Sequence, residues 1–92
     1  MSERKATVAS KSGLHARPAA IFAEAAGELP VEVTIAADGA PLEDALDASS
    51  ILSLMTLGAA QGDVVVLRSE GDGAEEALDS LVKLLETDLD AE

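Results

Sequence analysis

The chain contains no cysteine, one histidine and one aromatic residue, Phe22. Without thiols it can build neither a disulfide framework nor a thiolate metal centre, and nothing in it points to an oxidising compartment. A zinc site would have to recruit three carboxylates around His15, which we do not expect, so no metal and no cofactor are assigned. One aromatic ring leaves no platform on which bases could stack. Positive charge is also scarce: 6 basic side chains against 18 acidic ones give a formal net charge of -12. Such a surface repels phosphate backbones and anionic head groups alike, so nucleic acid and membranes are poor partners. No apolar run approaches the ~20 residues of a membrane span, and the polar N-terminal stretch does not resemble a signal peptide. These absences lead us to expect a soluble cytoplasmic protein.

What is present is aliphatic. Hydrophobic residues make up 48% of the 92 positions, enough for one core built from Ala, Val, Ile and Leu. We therefore expect one domain over residues 1–92, with a frayed acidic tail at 86–92. Lys5 to Ala9 alternates, with Ala6 and Val8 on one side, as a first strand would. Pro18, Phe22, Ala25 and Leu29 have helical spacing, and Pro18 fits only in a first turn, so a helix should run from Ala16 to about Gly27. Val31, Val33 and Ile35 alternate with polar residues as a second strand. Asp38-Gly39 signals a hairpin leading to a weaker strand within Ala40 to Ala45. Ser49 or Ser50 can cap a short helix that ends at Gly58. Val64 to Leu67 resembles a central buried strand. Asp72 with Glu75 suggests a capping box opening a last helix, whose Ala74, Ala77, Leu78, Leu81, Val82 and Leu85 form one apolar stripe.

The order is β-α-β-β-α-β-α. Alternating strand faces imply an α+β fold: a two-layer open-faced sandwich with a four-stranded antiparallel sheet and three helices on one face.

Chemistry concentrates in Ser12-Gly13-Leu14-His15-Ala16-Arg17-Pro18-Ala19. Gly13 permits a close approach and Pro18 fixes the first helical turn. His15 then stands at the mouth of a helix, where unpaired N–H groups and the macrodipole favour anions. That field disfavours imidazolium, keeping the ring neutral and nucleophilic, and the fork of Arg17 can grip phosphoryl oxygens. The same residues also fit a plain helix start with a solvated arginine, and spacing alone does not separate the two readings.

Leu14-His15-Ala16-Arg17-Pro18-Ala19 resembles the active-site signature of the HPr family, and Ser50-Ile51-Leu52-Ser53-Leu54-Met55-Thr56-Leu57-Gly58 resembles its second signature. The likeness spans nearly everything but the acidic tail. It implies a phosphocarrier of the phosphoenolpyruvate-dependent sugar phosphotransferase system rather than an enzyme. His15 would be phosphorylated on Nδ1 by enzyme I and would donate to enzyme IIA domains of sugar permeases. By the same likeness Arg17 steadies the phosphoryl group, Ser12 contacts the site through its side chain, and Ser50 matches a regulatory serine that an HPr kinase modifies in some bacteria. The chain departs from relatives in carrying extra residues within Pro41 to Ala48, and in having Glu24 and Glu28 where some relatives have lysines.

The second helix has more apolar residues than one buried face can use. Leu54 and Leu57 can face the sheet, leaving Ile51, Leu52 and Met55 as an outer patch for partners. Competing readings are a regulatory interaction module with no phosphoryl chemistry, and a carrier of the same family serving nitrogen regulation or dihydroxyacetone phosphorylation. We expect a monomer in solution.

Overall fold

The computed structural model describes residues 2–11, 13–14 and 16–88. Within them run β1 (Ser2–Thr7), α1 (Ala16–Gly27), β2 (Val33–Ala37), a 3-10 turn at Leu42–Asp44, β3 (Leu46–Asp47), α2 (Ile51–Leu57), β4 (Val64–Ser69) and α3 (Ala74–Leu85). The sheet order is β1-β4-β2-β3 and every pairing is antiparallel. This is the expected open-faced α+β sandwich, with β4 central.

The valine run of β4 pairs on both sides: Val66 lies opposite Lys5 of β1 and Ala36 of β2. Alternation sends Ala6, Val33, Ile35, Val65 and Leu67 into the core beneath the helices. There they meet Phe22, Leu54, Leu78, Leu81 and Leu85, all essentially inaccessible to water. On the other face Val66 and Ala36 are small enough to lie low. Lys5, which reaches Asp38 at 3.2 Å, and Arg68, held by Glu3 at 2.8 Å, flank them. The aliphatic stem of Lys5 can shield apolar surface while its charged head stays near water, whereas the Arg68 guanidinium is largely covered and its Nη1 is buried.

Four expectations shift. The first strand is Ser2–Thr7 rather than Lys5 to Ala9, because its inward positions begin with polar residues. Arg4 bridges to Asp79 (3.0 Å) and Glu75 (3.3 Å) on α3, a role that no hydrophobic pattern announces. The third strand falls at Leu46–Asp47, beyond the Ala40 to Ala45 window. Gly39, at φ 88°, does turn the chain, and Ala40 N–H bonds Ala37 O at 3.0 Å. Leu42–Asp44 then forms the 3-10 turn before the chain pairs opposite Thr34 and Ile35. The buried side of α1 is Pro18, Ala19, Phe22, Ala23 and Ala26, with Ala25 and Leu29 only partly covered; an alanine-rich helix gives little size contrast from which to read its face. Finally, α3 starts at Ala74 with Gly73 as its N-cap and no side-chain cap. Asp72 and Glu75 form no capping box, since Glu75 is engaged by Arg4.

The stripe on α3 is as expected: Ala74, Ala77, Leu78, Leu81 and Leu85 are buried and Val82 is partly so. Past its end, Glu86 N–H bonds Val82 O at 3.0 Å and Thr87 Oγ1 donates to Lys83 O at 2.8 Å. Of the tail, 89–92 lies outside the described residues.

Candidate functional site

The chain between β1 and α1 is held from three directions. Val8 extends the ladder, donating to Asp63 O at 2.9 Å and accepting from Gly62 N–H at 2.8 Å. Ala9 donates to Leu85 O at 3.0 Å, and its carbonyl accepts from Gln61 Nε2 at 3.2 Å. Ser10 is buried beside Thr87, and Lys11 N–H points to Asp88 Oδ1 at 3.4 Å. The end of α3 and the connection from α2 to β4 thus frame the segment that leads to His15.

Gly13 closes this frame. Its φ is +70°, and a Cβ there would overlap Ala59 O and stand 2.8 Å from Ala60 Cα. The close approach expected of this glycine is therefore made to backbone rather than to the end of a flexible side chain. Leu14 N–H then donates to Ala59 O at 2.9 Å while the Leu14 side chain is buried in the core. Leu14 is thus fixed just before position 15, and α1 begins at Ala16 just after it. His15 and Ser12 themselves lie outside the described residues.

The first turn of α1 contains Arg17 and Pro18 and no acidic residue. In a chain of net charge -12 this matters: the turn itself supplies no carboxylate to its N–H groups, so the positive end of the macrodipole favours an anion. Arg17 is exposed while Pro18 and Ala19 are buried. The turn is thus anchored by its apolar side and carries Arg17 on its exposed side. Among the described residues no group of carboxylates or imidazoles is placed to hold a metal ion.

The second motif forms α2. Ser50 is its N-cap, its hydroxyl accepting from Ser53 N–H at 3.2 Å, and Gly58 closes it at φ 66°. One turn earlier, Asp47 Oδ1 accepts from the Ser49 hydroxyl at 2.7 Å and from Ser49 N–H at 2.9 Å, which together hold its carboxyl below the ordinary value. Leu54 is fully buried, and Leu57 packs against the core. Ile51, Leu52 and Met55 are exposed to 45%, 79% and 38%. The division of apolar residues expected from the helix's excess is the one observed.

Sequence reading did not find the frame: Ala59, Gln61, Leu85, Thr87 and Asp88 touch the loop through backbone atoms or polar tips. Only the Gln61-Gly62-Asp63 turn gave a local signal, and it did not say what it would hold.

This geometry has close counterparts. Residues 2–87 match the family described as PTS HPr component phosphorylation site. The phosphocarrier protein HPr of Streptomyces coelicolor is 49% identical over 86 residues, covering 92% of this chain and 88% of the relative. Among solved structures, HPr from Thermoanaerobacter tengcongensis superposes with a TM-score of 0.82 at 41% identity, over 94% of this chain and 92% of the other. HPr from Bacillus anthracis does so with 0.81 at 33%, over 91% and 95%. Two signature motifs, a shared sheet and helix order, and a match running nearly end to end place this chain in the HPr phosphocarrier family of the phosphotransferase system.

Proposed function

We propose that this protein carries a phosphoryl group on His15, accepting it from phospho-enzyme I and delivering it to enzyme IIA domains of sugar permeases. The observation that carries this reading is the start of α1 directly after His15, with a first turn free of carboxylates and bearing Arg17. The lone pair of the imidazole Nδ1 attacks phosphorus as the bond to the donor's histidine breaks and its electron pair returns to the donor's ring nitrogen; the proton that His15 loses from Nε2 to solvent is balanced by the one the donor's imidazole takes up. The product's charge then faces the N–H groups of the first turn, and Arg17 can hold two of its oxygens. Stabilisation stays modest, as a carrier requires, because the helix end and one exposed arginine supply it. Ser12 is proposed to contact the phosphoryl group through its side chain. Ile51, Leu52 and Met55 are proposed to seat the partners in turn. Ser50, at the edge of that patch, is a candidate for regulatory phosphorylation by an HPr kinase, since a phosphate there would need desolvation whenever a partner docks.

Incubation with phosphoenolpyruvate and enzyme I tests the assignment: wild type gains an acid-labile phosphate at His15 and His15→Ala gains none. Labelling of that variant would overturn it. For Arg17 a graded response is expected, with Arg17→Glu transferring slowest and Arg17→Lys, which keeps the charge and loses the fork, intermediate.

A further inference from the structure

The apolar patch on α2 sits in a field of one sign. Between Arg17 and Arg68 every charged side chain is acidic, and this stretch supplies most of α1, all of β2, β3 and α2, and the connection to β4. Basic side chains elsewhere are largely committed: Arg4 to Asp79 and Glu75, Lys5 to Asp38, Arg68 to Glu3. Asp38 of the Lys5 pair lines a pocket together with Leu57, at the C-terminal end of α2.

The rim of the patch can be followed residue by residue. Positions 17, 24 and 28 lie along one outer line of α1 and just past its end, and Arg17, Glu24 and Glu28 are all exposed. The C-terminal end of α1 abuts the start of α2: a Cβ at Gly27 would stand 3.8 Å from Ser49 Cβ. Asp47, exposed, holds Ser49 on that same border. At the far end of α2, Asp63 is exposed and accepts from Ala60 N–H at 2.9 Å. The segments that flank α2, the outer line of α1 and the stretches before and after the helix, thus carry exposed carboxylates, with Arg17 the one cation on that line of α1.

We propose that the docking face of this protein's phosphoryl donor is an apolar seat rimmed by lysine and arginine. Bringing an acidic or neutral rim against Glu24, Glu28 and Asp47 would add repulsion or uncompensated desolvation around the contact of Ile51, Leu52 and Met55. A basic rim turns the same carboxylates into steering charges, which raise the encounter rate and fix the orientation that brings Arg17 and His15 to the donor's phosphohistidine. This inference rests on the carrier reading and adds the charge of the partner to it.

The test is the initial rate of His15 phosphorylation by the enzyme I encoded in the same genome, with phosphoenolpyruvate, at low and at physiological ionic strength. Wild type is compared with Glu24→Gln/Glu28→Gln and with Glu24→Lys/Glu28→Lys; both sites are exposed, and thermal melts verify folding. Steering predicts a wild-type rate that falls about tenfold or more as the screening length shrinks from about 30 Å to about 8 Å. At low salt the Gln variant is slower than wild type and the Lys variant slower still, and the ratios to wild type approach one at high salt. Taking ratios at each salt concentration cancels any effect of salt on enzyme I itself. Equal rates at low salt, or a faster Lys variant, overturn the basic rim while leaving the carrier intact. Absence of label on wild-type His15 at every ionic strength, even at end point, overturns the carrier reading and this inference with it.

Discussion

Gly13 shows how much a single position can fix. Its positive φ is strained for any other residue, and its missing Cβ makes room for the carbonyl of Ala59 and the Cα of Ala60. Gly13→Ala is therefore expected to lower stability by more than about 1 kcal/mol, read as a shift in the urea midpoint. It should also slow phosphoryl transfer, because Leu14, one residue from the proposed carrier His15, is hung from the same carbonyl. An unchanged midpoint would show that the loop relaxes freely. Asp47 offers a pH test. The Ser49 hydroxyl and then its N–H lower the carboxyl below 3.8 in the folded state. Its contribution is present above the unfolded value and is lost as pH falls through the folded one. Wild type should be slightly more stable than Asp47→Ala at neutral pH, with the gap closing in acid; a gap independent of pH would mean that the charge contributes nothing.

The short helix α2 separates two jobs by face. Leu54 is wholly buried, so Leu54→Ala should cost about 2–5 kcal/mol. Met55 and Ser50 are one position and one turn away. Met55→Glu places a charge on an exposed face, and Ser50→Asp retains a capping oxygen at the positive end of a helix. Both variants should melt within a few degrees of wild type yet accept phosphate from enzyme I more slowly. Unchanged transfer in both would remove α2 from the docking surface. Much of this element was legible in the sequence. The cap, the terminating glycine and the excess of apolar side chains are local facts, and seven residues of helix leave few ways to arrange them. The third strand was not legible. Two residues of β3 carry no periodicity, and their place was decided by what Thr34 and Ile35 could pair with after the 3-10 turn.

Net charge governs the molecule as a body. With -12 on 92 residues, mutual repulsion among carboxylates works against the compact state. Moderate salt screens that repulsion more than it weakens the few exposed ion pairs, which contribute about 1 kcal/mol or less each. The melting temperature is therefore expected to rise with sodium chloride, while the rate of phosphorylation by enzyme I falls. A melting temperature that drops with salt would place the Arg4, Lys5 and Arg68 pairs above the summed repulsion. Among the described residues no helix is long and apolar enough to cross a membrane.

Periodicity and capping chemistry act within a few residues, which is why α2, the apolar stripe of α3, the Asp38-Gly39 turn and the start of α1 after His15 are legible along the chain itself. The two motifs are legible for the same reason, each being contiguous. Where distant segments meet, only the folded chain decided the outcome. Glu75 left its capping box for Arg4, a partner 71 positions away. Ala9 found Leu85, and Gly13 found the backbone of Ala59 and Ala60. Such contacts are made largely by backbone groups and polar tips whose partners depend on how the sheet and helices close, so no residue type along the chain announces them.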